Sequence, residues 1–467
     1  MRFKIATINP SFVLKFNCSL KKAKIVATLG PASSSYDVIC RLAFAGVDVF
    51  RLNFSHGTHE THIRNAIAIR RVEQEIGRTL AIMMDLQGPK IRIGAFENDS
   101  VFLAQGSKFV LDLDKTPGSA TRVTLPHPEF FEALKEGTSL LLDDGKLELR
   151  VEENNGGRIV TEVINGGVLS SRKGVNIPNV ILPIPALTDK DKADVAIAEK
   201  VDADWVAISF VQTADDVLYA RRFVNNGAGI LAKIEKPSAV EFADGILNVA
   251  DAIMVARGDL GVELPYETIP AIQRRLIGKA RQHMKPVIVA TQMLESMTTC
   301  HVPTRAEVSD VACAVAEGAD AVMLSAETAS GKFPEAAVKT MAKVVAQTEL
   351  DGLNFFDESF LAPNNPDVDA VRSVANANMR VVAVWAKTCA FAANITNLRP
   401  ESDIAVFTSD EKVQRRLALV WGIHSFLIQD TADIAEIRQK MLAVIHQNFN
   451  IEDDTEVAIV SENGVPL

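Results

Sequence analysis

Two charged residues, Lys233 and Glu235, lie two positions apart in the otherwise apolar segment GILAKIE. A β-strand places residues i and i+2 on one face, so both side chains should point the same way. Charges inside a protein need partners. A divalent cation bound by Glu235 and an anionic substrate facing Lys233 would provide them. A buried structural ion pair is the alternative interpretation, and it loses weight when charged residues follow several neighbouring strands.

The stretch VARGDLGVEL at 255–264 raises the same question, because it follows the apolar run AIMV. Glycine and aspartate are ordinary turn residues. The alternative is that Gly258 lets backbone N–H groups approach an anion, with the following helix adding its N-terminal dipole. Asp259 would then bind a metal together with Glu235. Carboxylate, substrate and water oxygens form a site that suits Mg²⁺ or Mn²⁺.

Further polar residues follow other predicted strands. Arg51 and Arg92 are suited to bidentate recognition of a phosphate, although an isolated arginine there is as often part of a surface salt bridge. Thr291 and Glu327 follow two more strands. Together these residues predict phosphoryl transfer by positioning and charge neutralisation, without a covalent nucleophile.

Eight short apolar segments would position these residues, and helical patterns separate many of them. Near-continuous apolar strands that alternate with helices are typical of a parallel sheet covered on both faces. Eight such units predict a (β/α)₈ TIM barrel, whose catalytic residues come from the C-terminal ends of the strands. The segments are 24–29, 47–54, 79–86, 204–210, 229–235, 252–257, 286–291 and 321–328.

The chain is predicted to be an α/β protein with three domains and a leading extension. Residues 23–87 and 172–350 form the catalytic barrel. Residues 88–171, with short alternating strands, form an inserted small β-barrel lid domain. Residues 351–467 form a C-terminal open α/β domain. Residues 1–22 are an N-terminal extension of unknown role rather than a signal peptide.

Composition narrows the possible partners and the compartment. The 467 residues are 48% apolar and carry a formal net charge of −10, which argues against nucleic acid or an anionic membrane as the main partner. The five cysteines form no CxxC pair, as expected for a reduced protein. The absence of a long apolar run agrees with a cytoplasmic location.

Ten motifs follow one another along the chain: KIVATLGPAS, RLNFSHG, DLQGPKIR, LLDDGK, KGVN, KIEK, MVARGDLGVEL, ATQMLESM, PTRAEVSDVA and LSAETA. With these motifs in this order, the chain from Lys24 to about Leu350 resembles pyruvate kinase, of the bacterial type and similar to the potassium-independent group. The resemblance implies transfer of the phosphoryl group of phosphoenolpyruvate to ADP, with Mg²⁺ or Mn²⁺, in a homotetramer.

The resemblance also implies roles for the catalytic residues. Lys233 stabilises charge on the transferring phosphoryl and enolate oxygens, and Arg51 contacts the phosphoryl group. Thr291 delivers the proton to the methyl group through water, and Glu327 belongs to that relay. The implied substrate-binding residues are Arg51, Lys233, Gly258, Asp259 and Thr291, and the implied metal ligands are Glu235 and Asp259.

Nucleotide contacts are implied mainly for the lid and its borders. Arg92, His56 and Lys173 match nucleotide-contacting positions of the family. Asp143 and Asp144 match an acidic pair of the lid that approaches the nucleotide metal.

Lys90 departs from the pattern of potassium-dependent members, which carry Glu there within Thr-Lys-Gly-Pro-Glu, where this chain reads LQGPK. A fixed ammonium would supply the charge of a bound K⁺. We therefore expect Asn53, Ser55, Asp85 and the Leu86 carbonyl to form a pocket with no strict need for K⁺.

The C-terminal domain also departs from the family. Its loop KTCAFA at 387–392 lacks the glycine that opens a phosphate nest, so activation by a sugar phosphate is not expected. The chain ends at SENGVPL, where relatives continue into a last strand, and the domain is expected to lack that strand. A natural ending and a shortened sequence both remain open.

Two other functions remain open from the sequence. A metal-dependent lyase acting on a pyruvate enolate also places carboxylates at barrel strand ends, but it needs no nucleotide lid. A non-catalytic relative that binds a metabolite would show no turnover.

Overall fold

The structure is a computed structural model of the chain. It describes residues 21–178, 180–353, 355, 379–431, 433–449, 451 and 453–461. Residues 1–20 of the predicted extension and residues 462–467 lie outside this set. The predicted absence of a last C-terminal strand concerns that end of the chain and stays a prediction.

The β-strands were expected as short apolar or alternating segments, and every predicted barrel segment contains one. In chain order the strands are β1 (Lys24–Leu29), β2 (Val49–Asn53), β3 (Ala81–Asp85), β4 (Ser100–Leu103), β5 (Lys108–Asp112), β6 (Arg122–Thr124), β7 (Ser139–Leu142), β8 (Leu147–Asn154), β9 (Arg158–Asn165), β10 (Gly167–Ser170), β11 (Val175–Asn176), β12 (Trp205–Ile208), β13 (Gly229–Ile234), β14 (Ala252–Ala256), β15 (Val287–Ala290), β16 (Ala321–Leu324), β17 (Val381–Trp385), β18 (Asp403–Thr408), β19 (Ile423–Leu427) and β20 (Val457–Ser461).

Apart from α3, which belongs to the inserted β domain, the helices of the described residues follow the barrel strands and the strands of the C-terminal sheet. They are α1 (Tyr36–Ala45), α2 (His59–Ile76), α3 (Pro128–Ala133), α4 (Asp189–Val195), α5 (Ala214–Arg221), α6 (Pro237–Glu241), α7 (Ala243–Val249), α8 (Arg257–Glu263), α9 (Ile269–Gln282), α10 (Arg305–Ala316), α11 (Ala326–Ala329), α12 (Pro334–Leu350), α13 (Cys389–Thr396), α14 (Glu411–Arg416) and α15 (Ile434–Phe449). No helix in this part of the chain combines the length and the apolar composition needed to cross a membrane.

Helix α2 shows how the sequence sets these elements. Its N-cap is Thr58, whose hydroxyl accepts a hydrogen bond from the N–H of Thr61, and it ends at Gly77, which has a φ of 63°. Such caps satisfy backbone groups that a helix end leaves without partners. The buried residues between them recur every three or four positions, so one face packs against the barrel.

Eight parallel strands close into a barrel in the order β1-β16-β15-β14-β13-β12-β3-β2. The predicted (β/α)₈ fold is therefore confirmed. Most of the barrel strands are buried throughout, as expected for strands that are covered by helices outside and by side chains inside.

The inserted β domain follows β3. It has a six-stranded sheet, in the order β11-β7-β8-β9-β5-β6, and a two-stranded sheet formed by β10 and β4. Their inward side chains share a core that includes Phe109, Leu140 and Leu149. The short helix α3 adds Phe130 and Phe131 to it.

The C-terminal domain is an open parallel sheet in the order β19-β18-β17-β20. All four predicted strand segments, VVAVWA, DIAVFTS, HSFLI and VAIVS, form strands of this sheet. Helix α15 covers one face with Ile437, Met441 and Ile445.

The C-terminal domain also closes the base of the barrel. Leu419, in the 3₁₀ turn Leu417–Leu419, is fully buried and shares an apolar cluster with barrel residues that include Val26 and Met83. The guanidinium of Arg416 lies 5.1 Å from the ring centroid of Trp205, which also belongs to that cluster. The barrel is thus filled from below by the neighbouring domain.

Replacing Leu419 with alanine should remove this closure. Because the side chain is fully buried, we expect Leu419→Ala to lower the free energy of unfolding by about 2–5 kcal/mol. Urea unfolding measures the loss. Leu350→Ala, at a position that is 79% exposed, is the matched control and should stay near the wild type. Equal losses in the two variants would contradict the closure.

Candidate active site

The C-terminal mouth of the barrel collects charged side chains from several strands. Lys233 lies in β13 and Glu235 directly follows it, and their side chains meet, with 2.7 Å between Lys233 Nζ and Glu235 Oε1. Both residues are buried. The period of two along the strand therefore places them together, as the sequence predicts.

Asp85, at the end of β3, links the two cations of the mouth. Its Oδ2 lies 2.6 Å from Arg51 Nε and its Oδ1 lies 3.3 Å from Lys233 Nζ. Burial alone would raise the pKa of Asp85, but Arg51 and Lys233 outweigh burial and hold that pKa below its usual range. Arg51 also donates to Thr28 Oγ1, 3.0 Å away. The guanidinium is thereby fixed in place.

The charge state of the central pair follows from its neighbours. Burial would lower the pKa of Lys233, but Asp85 and Glu235 raise it above its usual value, so this lysine is an ammonium. Burial raises the pKa of Glu235, Lys233 opposes that rise, and the negative charge of Asp259 adds to it. The charge of Asp259 thus disfavours ionisation of Glu235, and a cation shared by the two side chains would relieve that effect.

These two carboxylates fit the divalent cation predicted for them. Among the described residues, no three His, Cys, Asp or Glu side chains come together as a metal site. A cation bound by Glu235 and Asp259 would therefore complete its shell with substrate oxygens and water, which is how Mg²⁺ is usually held.

Within the VARGDLGVEL stretch, a helix begins directly after β14 ends. Helix α8 starts at Arg257, and the N–H of Gly258 donates to Thr291 Oγ1 over 2.7 Å. A Cβ at Gly258 would lie only 3.3 Å from that oxygen, so the close approach favours glycine. The N–H predicted to face an anion is thus directed at the Thr291 hydroxyl.

Thr291 adopts an unusual backbone conformation for a β-branched residue, with a φ of 72°. Arg257 helps to hold it, because its Nη2 donates to the Thr291 carbonyl over 2.7 Å while its Nη1 lies 2.6 Å from Asp310 Oδ1. Arg257 has no predicted role of its own, although a charged residue directly after an apolar strand was a signal for one.

Glu327 is fully buried at the start of α11. Its carboxylate accepts hydrogen bonds from the N–H groups of Ser325, at 2.7 Å, and Leu294, at 3.1 Å. Burial raises the pKa of Glu327. The contacts join the loops that follow β15 and β16, so a positioning role is available, and its part in a proton relay stays a prediction.

The cleft between lid and barrel is lined by Asp144, one of the predicted nucleotide residues. Asp144, from the lid, and Asp259, from the barrel, line this cleft together. Lys173 Nζ lies 2.7 Å from Asp143 Oδ1, and Arg92 Nη1 donates to the Arg172 carbonyl over 3.0 Å. The exposed His56 lies in the loop after β2, where its carbonyl contacts His62.

The residues of the predicted monovalent-cation pocket are already engaged in several contacts. Asn53 Oδ1 accepts from the N–H of Ser55 over 3.1 Å. The Leu86 carbonyl accepts from the Ser209 hydroxyl over 2.7 Å. Lys90 is exposed and lines the same cleft as Asp144 and Asp259. The predicted site contains no residue from the segment 204–210, and it therefore omits Ser209.

Fold and site together define a TIM-barrel enzyme with its active site at the C-terminal mouth, beneath an inserted lid. Residues 20–338 match the model of the pyruvate kinase barrel domain, and residues 368–466 match that of the pyruvate kinase alpha/beta domain. The chain belongs to the pyruvate kinase family of phosphotransferases.

Curated relatives and a solved structure support this family assignment. A pyruvate kinase from Methylorubrum extorquens is 44% identical over 96% of this chain and 95% of its own length. One from Geobacillus stearothermophilus is 43% identical over 87% of this chain and 71% of its own. The crystal structure of a pyruvate kinase from Cryptosporidium parvum superposes with a TM-score of 0.89 at 33% identity and covers 94% of each chain.

Replacing Asp85 should destabilise the fold, because Arg51 and Lys233 would lose the carboxylate that they share. Breaking a buried ion pair by removing one partner costs about 3–5 kcal/mol. We therefore expect Asp85→Asn to lower the free energy of unfolding by about that amount, measured by urea unfolding at pH 7. Asp244→Asn is the control, since its pair with Lys279 is exposed and should cost about 1 kcal/mol or less.

The stabilisation that Asp85 provides should be lost as the pH falls. The pKa of Asp85 is depressed in the folded chain, so its stabilisation is present above the unfolded pKa of about 3.9 and is lost as pH falls through the folded value. The difference between wild type and Asp85→Asn should therefore stay constant above roughly pH 5 and shrink below roughly pH 4. A difference that grows on acidification would contradict this account.

Proposed function

We propose that the chain transfers the phosphoryl group of phosphoenolpyruvate to ADP, giving pyruvate and ATP, as the family implies. The observation that carries the proposal is the buried ammonium of Lys233, which lies between Glu235 and Asp85 at the barrel mouth. The fixed guanidinium of Arg51 lies beside it on Asp85. Two fixed cations facing a lid suit a highly charged anionic substrate.

Lys233 and Arg51 would act on the phosphoryl group by position and charge. Phosphoryl transfer spreads negative charge over the transferring oxygens, and donors already held in place stabilise that charge without reorganising. Lys233 would serve the phosphoryl and enolate oxygens, and Arg51 would orient the phosphoryl group. Gly258, Asp259 and Thr291 would border the substrate at the ends of β14 and β15, the strands that follow β13 around the barrel.

Glu235 and Asp259 are the proposed ligands of Mg²⁺, or of Mn²⁺. The charge that Asp259 adds at Glu235 supports this assignment. When bound, such a cation neutralises charge on the phosphoryl and enolate oxygens. The Glu235 carboxylate is kept in place by Lys233 at one oxygen and by the N–H of Phe210, 2.8 Å from the other.

Thr291 is proposed to deliver the proton to the methyl group of the enolate through water. Its hydroxyl lies between the Gly258 N–H and the Ala290 carbonyl, 2.6 Å away, so its orientation is defined. Glu327 would act by holding the loop that follows Thr291, through the Leu294 N–H.

The nucleotide is proposed to bind in the cleft between lid and barrel, which Lys90 and Asp144 line. Asp144 would approach the nucleotide metal, and Arg92, Lys173 and His56 would contact the phosphates or the base. The homotetramer implied by the resemblance remains a prediction.

We also propose that K⁺ is not strictly required. Asp85 is already neutralised by Arg51 and Lys233, and the Leu86 carbonyl already accepts from Ser209. Two of the four predicted ligands are therefore satisfied by the chain itself, while Lys90 brings a further positive charge to the mouth.

Family membership favours phosphoryl transfer over the alternative of a metal-dependent lyase. A non-catalytic relative would bind phosphoenolpyruvate without turnover. The retained Lys233, Glu235, Asp259 and Thr291 argue for an active enzyme.

Removing the ammonium tests the phosphoryl-transfer role. We expect Lys233→Met to lower kcat by roughly 10³-fold or more in a coupled assay of pyruvate formation, because charge in the transition state loses its nearest fixed cation. Lys285→Met is the control, since Lys285 lies just before β15 at the opposite end of the barrel. A Lys233→Met enzyme of nearly wild-type kcat would contradict the role.

The monovalent-cation proposal is tested by ion replacement. Exchanging K⁺ for tetramethylammonium should leave the kcat of the wild type within roughly 3-fold, because a fixed ammonium cannot be removed by dialysis. Lys90→Glu should make activity depend on K⁺, whereas Lys135→Glu, on the lid surface, should not. A large loss of wild-type activity without K⁺ would contradict the proposal.

A further inference from the structure

The corner after β12 touches both members of the central pair, although the predicted site took no residue from this strand. Ser209 is buried, and its Oγ accepts a hydrogen bond from Lys233 Nζ over 2.7 Å. The next residue, Phe210, donates its N–H to Glu235 Oε2 over 2.8 Å. One two-residue corner therefore holds the lysine through a side chain and the glutamate through the backbone.

The Ser209 hydroxyl has a defined orientation. It donates its single proton to the Leu86 carbonyl over 2.7 Å, in the loop that follows β3, because its other acceptor, Asp85 Oδ1, lies farther away at 3.5 Å. A hydroxyl whose proton is committed in one direction presents its lone pairs in another. Ser209 therefore offers Lys233 an oriented acceptor, fixed to a different barrel strand from the one that carries Lys233.

The backbone of the corner is built for this contact. Phe210 has a φ of 56°, in the left-handed region that costs a non-glycine residue of this size free energy. The neighbouring loop makes room for it, because a Cβ at Gly88 would lie 2.9 Å from both Phe210 Cδ2 and Ser209 Cβ. Strained backbone persists where the surroundings determine it, and here it directs the Phe210 N–H at a proposed metal ligand.

The three protons of the Lys233 ammonium have three acceptors at different distances. Ser209 Oγ and Glu235 Oε1 each lie at 2.7 Å, and Asp85 Oδ1 lies at 3.3 Å. Without the serine oxygen, the ammonium proton that it accepts would have to turn toward a carboxylate, Asp85 or Glu235. Glu235 is also the proposed metal ligand, so a second ammonium proton directed at it would compete with the metal for its oxygens.

We infer that Ser209 is a positioning residue of the reaction: it holds the Lys233 ammonium at the substrate side of the mouth and limits its contact with Glu235 to the single oxygen Oε1. This inference rests on the proposed function, since it assigns Ser209 a part in placing the lysine and the metal ligand of phosphoryl transfer.

Ser209→Ala tests the inference through catalysis. A hydrogen bond to a charged group of this kind is worth roughly a 10- to 100-fold change, so kcat should fall by that factor while the KM for phosphoenolpyruvate changes by less than about 3-fold. Ser209→Thr, which keeps the hydroxyl, should recover most of the loss. Ser402→Ala, which removes a buried serine hydroxyl bonded to the Met379 carbonyl in the C-terminal domain, should match the wild type.

A second measurement does not depend on turnover. Binding of Mn²⁺, followed by the electron paramagnetic resonance signal of the free ion, should be several-fold weaker in Ser209→Ala than in the wild type, on the order of 3- to 10-fold. If the alanine variant does not fold, Ser209→Cys keeps a similar volume with a weak acceptor and should show the same losses.

The outcomes separate the two proposals. Wild-type turnover with unchanged kcat and Mn²⁺ affinity in Ser209→Ala would overturn the positioning role and leave the proposed function standing. Equal losses in the alanine and threonine variants would also overturn it, since a role in packing alone predicts them. A folded wild type without turnover whose Mn²⁺ affinity still falls in Ser209→Ala would contradict the proposed function and support the positioning role.

Discussion

The mouth of this barrel depends on the mutual neutralisation of four buried charges: Arg51, Asp85, Lys233 and Glu235. None of them is stable there alone, because removing an ion from water costs several kcal/mol even after the protein relaxes. They are carried by three barrel strands, so the closed sheet fixes the distances between them. The cluster also leaves a place for a bound cation, because Asp259 adds negative charge at Glu235 without adding a cation.

Other parts of the fold hold this cluster in place, first through direct contacts and then through the packing of the barrel. The strained corner at Ser209 and Phe210, and the guanidinium of Arg257, orient the groups at the mouth. Below them the barrel is apolar, and Leu419 of the C-terminal domain completes its base. A rigid scaffold of this kind holds reacting groups in position without reorganisation during the reaction. The inserted lid brings Asp144 over the same mouth from the other side.

Patterns that are local in the chain were predicted well. The apolar segments gave the eight barrel strands and the four C-terminal strands, and the period of two placed Lys233 beside Glu235. Contacts between side chains on strands that are distant in the sequence could not be predicted from these local patterns. The place of Asp85 in a monovalent-cation pocket stays a prediction, but its pairing with Arg51 and Lys233 was not foreseen. Ser209 carried no signal, because a serine after an apolar strand is an ordinary turn residue. Only the closing of the barrel brings these side chains together.

The central claim is that this cluster transfers a phosphoryl group with the help of a divalent cation. The most direct measurement is ATP formation by the purified chain from phosphoenolpyruvate and ADP, with Mg²⁺ and again after the metal is chelated. The account predicts sustained ATP formation with Mg²⁺ and its loss on chelation. A folded chain that forms no ATP with Mg²⁺, or one that forms it equally well without a divalent cation, would contradict the account.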